Sequence, residues 1–296
     1  MEREYYIDGM SDRAGKTGKR TKTGSKLKGR KTTRSKGRKS KQSFIKTLSK
    51  TDKLNLALAA AAIVAIVVAV FFVRNAYFYI TGNDVTDENQ YPVKGVDVSS
   101  YQLEIDWPGL ENEGYKFAFI KATEGSSHVD ERFEYNWKHA NRTDMRVGAY
   151  HFLSFDTDGG EQADNFISTV NKKRGMLPPA VDVEFYGDYT ESHPSVEKVT
   201  EILDSFLEKI EDKYGMKPII YTNAYVYKHY ISGRYDDYPI WISSDSIPET
   251  LSDGRSWTFC QYTFYGKSEN IADGEKYVDI NVFNGSSWEL RNYKSK

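Results

Sequence analysis

The chain has 296 residues, enough for one large domain or two small ones, and a formal charge of −1 from 41 Lys+Arg against 42 Asp+Glu. Cys260 is the only cysteine, which excludes an intramolecular disulfide and a structural zinc site of Cys/His type, so any domain here stands on its hydrophobic core. The near-neutral total is a cancellation: residues 1–53 carry 18 Lys+Arg against 5 Asp+Glu, and the rest carry 23 against 37, so the two parts suit different surroundings.

From Gly15 to Lys50 the sequence is Lys, Arg, Gly, Ser and Thr with almost no aliphatic residues, which predicts a disordered basic tail over 1–53. Such a tail is first a solvated segment that sets topology. Anionic lipid headgroups are the next partner its charge suits, and with neither aromatic interleaving nor a fold it gives no sign of binding nucleic acid. The run 54–73, LNLALAAAAIVAIVVAVFFV, carries no charge. As a helix it reaches about 30 Å, the hydrocarbon thickness of a bilayer, and it outruns the roughly 7–15 apolar residues of a cleavable signal peptide. The expectation is a retained single-pass transmembrane helix in the cell membrane. Its basic flank puts the N-terminus in the cytoplasm and everything after Arg74 outside the cell.

Residues 74–92 read as a linker, and a catalytic-sized domain follows over 93–296. Short apolar runs predict strands over 95–98, 117–122, 147–152, 180–184, 218–222, 240–243, 259–262 and 278–283. Helical spacing of Val196, Val199, Ile202, Leu203, Phe206, Leu207 and Ile210 predicts a helix over 195–214 ended by Gly215, with further helices over 133–140 and 160–174. Eight short strands, many joined through helices, predict an α/β barrel with its reactive side chains at the C-terminal strand ends.

In PAVDVEF, Asp182 and Glu184 stand two apart, so both carboxylates leave the strand on one face. An ordinary half-buried strand turns such a pair toward water. Here the flanking residues are apolar, and a parallel barrel strand has no wet side through most of its length, so the pair belongs at the barrel mouth. Glycoside hydrolysis uses two such acids, one protonating the leaving oxygen and one stabilising an oxocarbenium-like centre. Glu184, with the longer reach, is the candidate general acid. Asp97 in KGVDVSSYQ and Asp279 in KYVDINVFNG are further single acids inside apolar strands, where an unpaired carboxylate is costly unless a site uses it.

GVDVSSYQLEIDW, FAFIKATEG, VGAYHF, AVDVE, IIYTN, WTFCQYTFYG and YVDINVFNG fall in the order seen in glycoside hydrolase family 25, the N-acetylmuramidase lysozymes, which the chain resembles over about 93–285. The resemblance implies a flattened (β/α) TIM-like barrel and hydrolysis of the β-1,4 bond between N-acetylmuramic acid and N-acetylglucosamine of peptidoglycan, with no metal or organic cofactor. Asp97, Asp182, Glu184 and Asp279 match the family's acidic cluster, with Glu184 in the general-acid place. A common Ala-x-Tyr element after the late strand tryptophan is replaced here, since Ile-Ser-Ser-Asp follows Trp241. The resemblance also implies that the strand-end aromatics Tyr150, Tyr221, Trp241 and Tyr262, and less so Phe152, offer faces to sugars while Gln261 and His151 hydrogen-bond to hydroxyl or acetamido groups, although a lone histidine such as His151 is more often structural than catalytic. A peptidoglycan-binding module that keeps this fold but turns over little or nothing is the competing expectation.

Overall fold

The computed structural model describes residues 90–271 and 277–295, together with Ala59, Ala62, Ile66 and Ala69, which are helical. The basic tail, the rest of the apolar run 54–73 and most of the linker lie outside the described residues. Among the described residues no helix is long and apolar enough to cross a membrane. Contacts divide the chain into Met1–Ala65 and Ile66–Lys296, and the barrel belongs to the second unit.

Among the described residues nine strands form one sheet: β1 Lys94–Val98, β2 Phe117–Glu124, β3 His128–Val129, β4 Arg146–Phe152, β5 Ala180–Asp182, β6 Ile219–Asn223, β7 Ile240–Ser243, β8 Phe259–Gly266 and β9 Val278–Phe283. Their order is β1-β9-β8-β7-β6-β5-β4-β2-β3, and β1 also pairs with β2, which closes eight strands into a barrel and leaves β3 as a hairpin on β2. The longer helices around the barrel are α1 Trp107–Asn112, α2 Phe133–Ala140, α3 Gly159–Thr169, α4 Val196–Tyr214 and α5 Ser287–Asn292. The barrel departs from the TIM-like expectation at β9, which runs antiparallel to both β1 and β8. Only residues 267–277 separate β8 from β9, fewer than the dozen or so that a crossover between parallel strands takes, so the chain turns back as a hairpin.

Side chains alternate between two cores. Phe117, Phe119, Tyr150, Tyr221, Trp241, Phe259 and Phe283 point into the barrel, whereas Val96, Ile120, Val147, Val181, Ile220, Ile242 and Val282 face the helices. Bulky rings fill the interior because two strands give way to them. A Cβ on Gly95 or on Gly148 would come within 2.5 Å of the rings of Phe117 and Phe119, the residues directly opposite each glycine in the neighbouring strand. Helix α4 buries Val199, Ile202, Leu203, Phe206, Leu207 and Ile210 against the outer core, each side chain contributing about 1.5–3 kcal/mol. It starts at Ser195, whose hydroxyl accepts from Lys198 N, and stops at Gly215 in the left-handed region (φ 63°). Helix α5 stoppers the N-terminal end of the barrel with Leu290. The Arg146 guanidinium, at the start of β4, holds it by donating to the carbonyls of Leu290 and Arg291 at 2.6 Å and of Tyr293 at 3.1 Å.

Candidate active site

The acids gather at the opposite end. Asp97 lies directly across from Asp279 in the β1–β9 ladder, and both point inward, as alternation requires of residues flanked by outward valines and isoleucines. Asp182 ends β5 and lies opposite Tyr221 of β6. Pairing stops there, two residues short of the expected strand end, but Val183 N still donates to Tyr221 O at 2.9 Å, so the backbone stays extended and carries Glu184 to the rim. Asp97 and Asp182 are 7% and 6% exposed, and Glu184 and Asp279 are half-buried.

Buried polar groups hold Asp97. The side chains of Gln261 and Asn281 both donate to its Oδ2, at 2.9 and 2.7 Å. The Gln261 carbonyl in turn accepts from the Tyr221 hydroxyl at 2.7 Å, and the Asn281 carbonyl accepts from the Trp241 indole at 2.7 Å. Tyr221 and Trp241 therefore anchor a relay whose far end is a carboxylate. The Tyr221 phenol is pushed well above its ordinary pKa, first by burial and then by the negative charges of Glu184, Asp182 and Asp97, so it stays protonated as a donor while three of the four acids converge on it.

The expected aromatics divide between the two faces of the sheet. Tyr150, Tyr221 and Trp241 are buried inside the barrel, with Trp241 stacked on Phe119 at 4.5 Å and Tyr221 edge-on to Trp241 at 4.6 Å. They form a floor. Tyr262 sits in the outer core at the irregularity between Gln261 and Thr263, apart from this group. His151 also faces outward, fully buried, with Nδ1 2.7 Å from Thr123 Oγ1 and Nε2 3.0 Å from Gln162 Oε1, and it stacks on Phe206. Burial lowers its pKa to about 4, so it is a neutral packing residue. Half-buried Phe152 lies at the mouth, 5.1 Å beneath the ammonium of Lys121.

Two residues of the site carry signals that strand reading passes over. Asn281 follows Asp279 by two and so shares its face, and Lys121 is the one charge in the apolar run FAFIKA. Lys121 is 7% exposed and paired with Glu124 at 2.6 Å, a cation set into the wall of an acidic mouth. Among the described residues no group of three or more His, Cys, Asp or Glu side chains is arranged to hold a metal ion.

A closed barrel with a cluster of carboxylates over a hydrogen-bonded aromatic floor is equipped for acid-assisted cleavage of a glycosidic bond. Known proteins agree with that chemistry. The sequence profile of glycosyl hydrolases family 25 matches residues 96–271. YegX of Escherichia coli O6:H1 is 35% identical over 208 residues, covering 69% of this chain and 74% of that protein. Lysozyme M1 of Streptomyces globisporus is 30% identical over 208 residues, 67% of this chain and 70% of its own. Among solved structures, a family 25 glycosyl hydrolase from Bacillus anthracis superposes with a TM-score of 0.67 at 49% identity, covering 71% of this chain and 96% of that one. Profile, relatives and barrel coincide on the segment that holds Asp97, Asp182 and Glu184, and the chain therefore belongs to glycosyl hydrolases family 25.

Proposed function

We propose that the barrel is a muramidase lysozyme in which Glu184 protonates the glycosidic oxygen between N-acetylmuramic acid and N-acetylglucosamine in peptidoglycan. The observation that carries this reading is the placing of Asp182 opposite Tyr221, with Glu184 two residues on, and of Asp97 at the other end of the Gln261 relay from that phenol. Glu184, at the rim and half-buried, reaches the leaving oxygen. Asp182, one alternate position back on the same face, stabilises the anomeric centre or orients the acetamido group. Asp97, fixed by Gln261 and Asn281, and Asp279 beside it complete the negative field that an oxocarbenium-like transition state uses.

Glu184→Gln keeps the shape and removes the proton. Release of fragments with reducing-end N-acetylmuramic acid from purified cell walls should fall about 10²–10⁴-fold while wall binding persists. Undiminished release by the folded variant would move the acid elsewhere, and wall binding without release by the unaltered chain would favour a tethering module.

The N-terminal part completes the proposal. The run 54–73 is a retained membrane span, the tail 1–53 is a solvated cytoplasmic segment whose charge sets the topology, and the domain 93–296 faces the wall outside the cell. The uncharged length of the run and the basic flank before it support this arrangement.

A further inference from the structure

An aromatic ridge stands at the same end of the barrel as the acids, and it begins at half-buried Phe185, which packs against the outer core. The Phe185 ring stacks on the His193 imidazole with centroids 4.2 Å apart and planes 15° from parallel. Tyr225 meets Phe185 at 5.9 Å and His193 at 5.1 Å, and its hydroxyl lies 3.1 Å from His193 Nδ1. His229 packs on Tyr225 at 4.3 Å. Phe185 and His193 follow β5, and Tyr225 and His229 follow β6, its parallel neighbour, so both segments rise from the catalytic end of the barrel.

The ridge is held rigid from below. Tyr230 donates to the Pro194 carbonyl at 2.9 Å, tying the two segments together, and the Asn223 side chain accepts from Val226 N to cap the turn that presents Tyr225. Val226, Tyr227, Tyr230 and Ile231 anchor that turn in the outer core. Tyr225 itself is 43% exposed, and His193 and His229 are exposed with it, so packing of the fold does not account for these three rings. Rings locked by their neighbours lose little conformational freedom when a ligand settles on them.

We infer that Phe185, His193, Tyr225 and His229 form an outer glycan subsite that holds an N-acetylhexosamine unit of the strand beyond the bond cut at Glu184. The inference rests on the muramidase reading, since the ridge is useful to a strand whose next units pass over it. Ring faces match the apolar face of a pyranose, and the phenol and imidazole edges offer hydrogen bonds to hydroxyl and acetamido groups. Peptide stems fit less well because they carry carboxylates, and the chain beyond its basic tail already holds 37 acidic residues against 23 basic.

The test compares two full-length proteins in a Glu184→Gln background, one with Tyr225 and one with Tyr225→Ala, by calorimetric titration with peptide-free glycan oligosaccharides of increasing length. With Tyr225, affinity should rise as the strand becomes long enough to reach the ridge. With Tyr225→Ala that gain should shrink roughly five- to tenfold, the loss expected for truncating one contact aromatic, and Tyr225→Phe should retain most of it. An equal gain in both proteins would overturn the subsite while leaving the muramidase reading intact. A gain seen only with strands that keep their peptide stems would overturn it in favour of peptide docking. Failure to bind glycan of any length would overturn both.

Discussion

Asn281 joins the acids to the floor, since its amide serves Asp97 and its carbonyl serves Trp241. Asn281→Ala leaves the buried indole without its acceptor and Asp97 with one donor fewer, so it should cost about 1–3 kcal/mol in urea unfolding. Turnover should fall roughly 10- to 100-fold through kcat, because the residue positions a carboxylate without reaching the reacting atoms. Unchanged kcat in a folded variant would show that Asp97 needs no such support. His151 governs acid stability instead. Its folded pKa is near 4, against about 6.5 in an unfolded chain, so between those values the unfolded state binds the proton that the folded state refuses. The stabilisation is complete above pH 6.5 and is lost as pH falls, by about 3 kcal/mol at pH 4. In His151→Gln the difference in unfolding free energy between pH 7 and pH 4 should shrink by that order, and an identical pH dependence would refute the assignment. The four acids were legible because a carboxylate inside an apolar strand stands out. The floor was not, because alternation tells which way a ring points and says nothing about how deep along the barrel it lies.

The strands and α4 follow from local sequence, where apolar runs between turn residues and a 3.6-residue apolar spacing leave few alternatives. Strand direction does not, since the period of β9 is the same in either sense and only the short connection from β8 decides it. Helix α5 is too brief for periodicity, yet Ser286 and Glu289 form a reciprocal capping box that was readable as Ser-x-x-Glu. What holds α5 in place is Arg146, a residue from the far side of the sequence. Arg146→Ala should destabilise the domain by about 2–3 kcal/mol and speed amide exchange in 287–292 ahead of the rest of the chain, with Arg146→Lys rescuing little because an ammonium lacks the fork. Amide exchange in that helix that matches the unaltered protein would mean that Leu290 alone seats it.

At the scale of the whole chain, the basic first part and the acidic remainder separate at the apolar run, as two sides of a membrane would separate them. Protease added to wall-stripped intact cells should therefore remove the barrel and spare the tail, whereas a soluble product beginning shortly after Val73 would favour a cleaved leader. The closure of the barrel carries a consequence for timing. Its first strand supplies Asp97 and its last supplies Asp279, and the amides that fix Asp97 lie 164 and 184 residues further along the chain. A polypeptide made from its N-terminus onward has no working mouth until β9 slides between β1 and β8. The enzyme is thus mute throughout its own synthesis, and a copy released before that strand is made stays so.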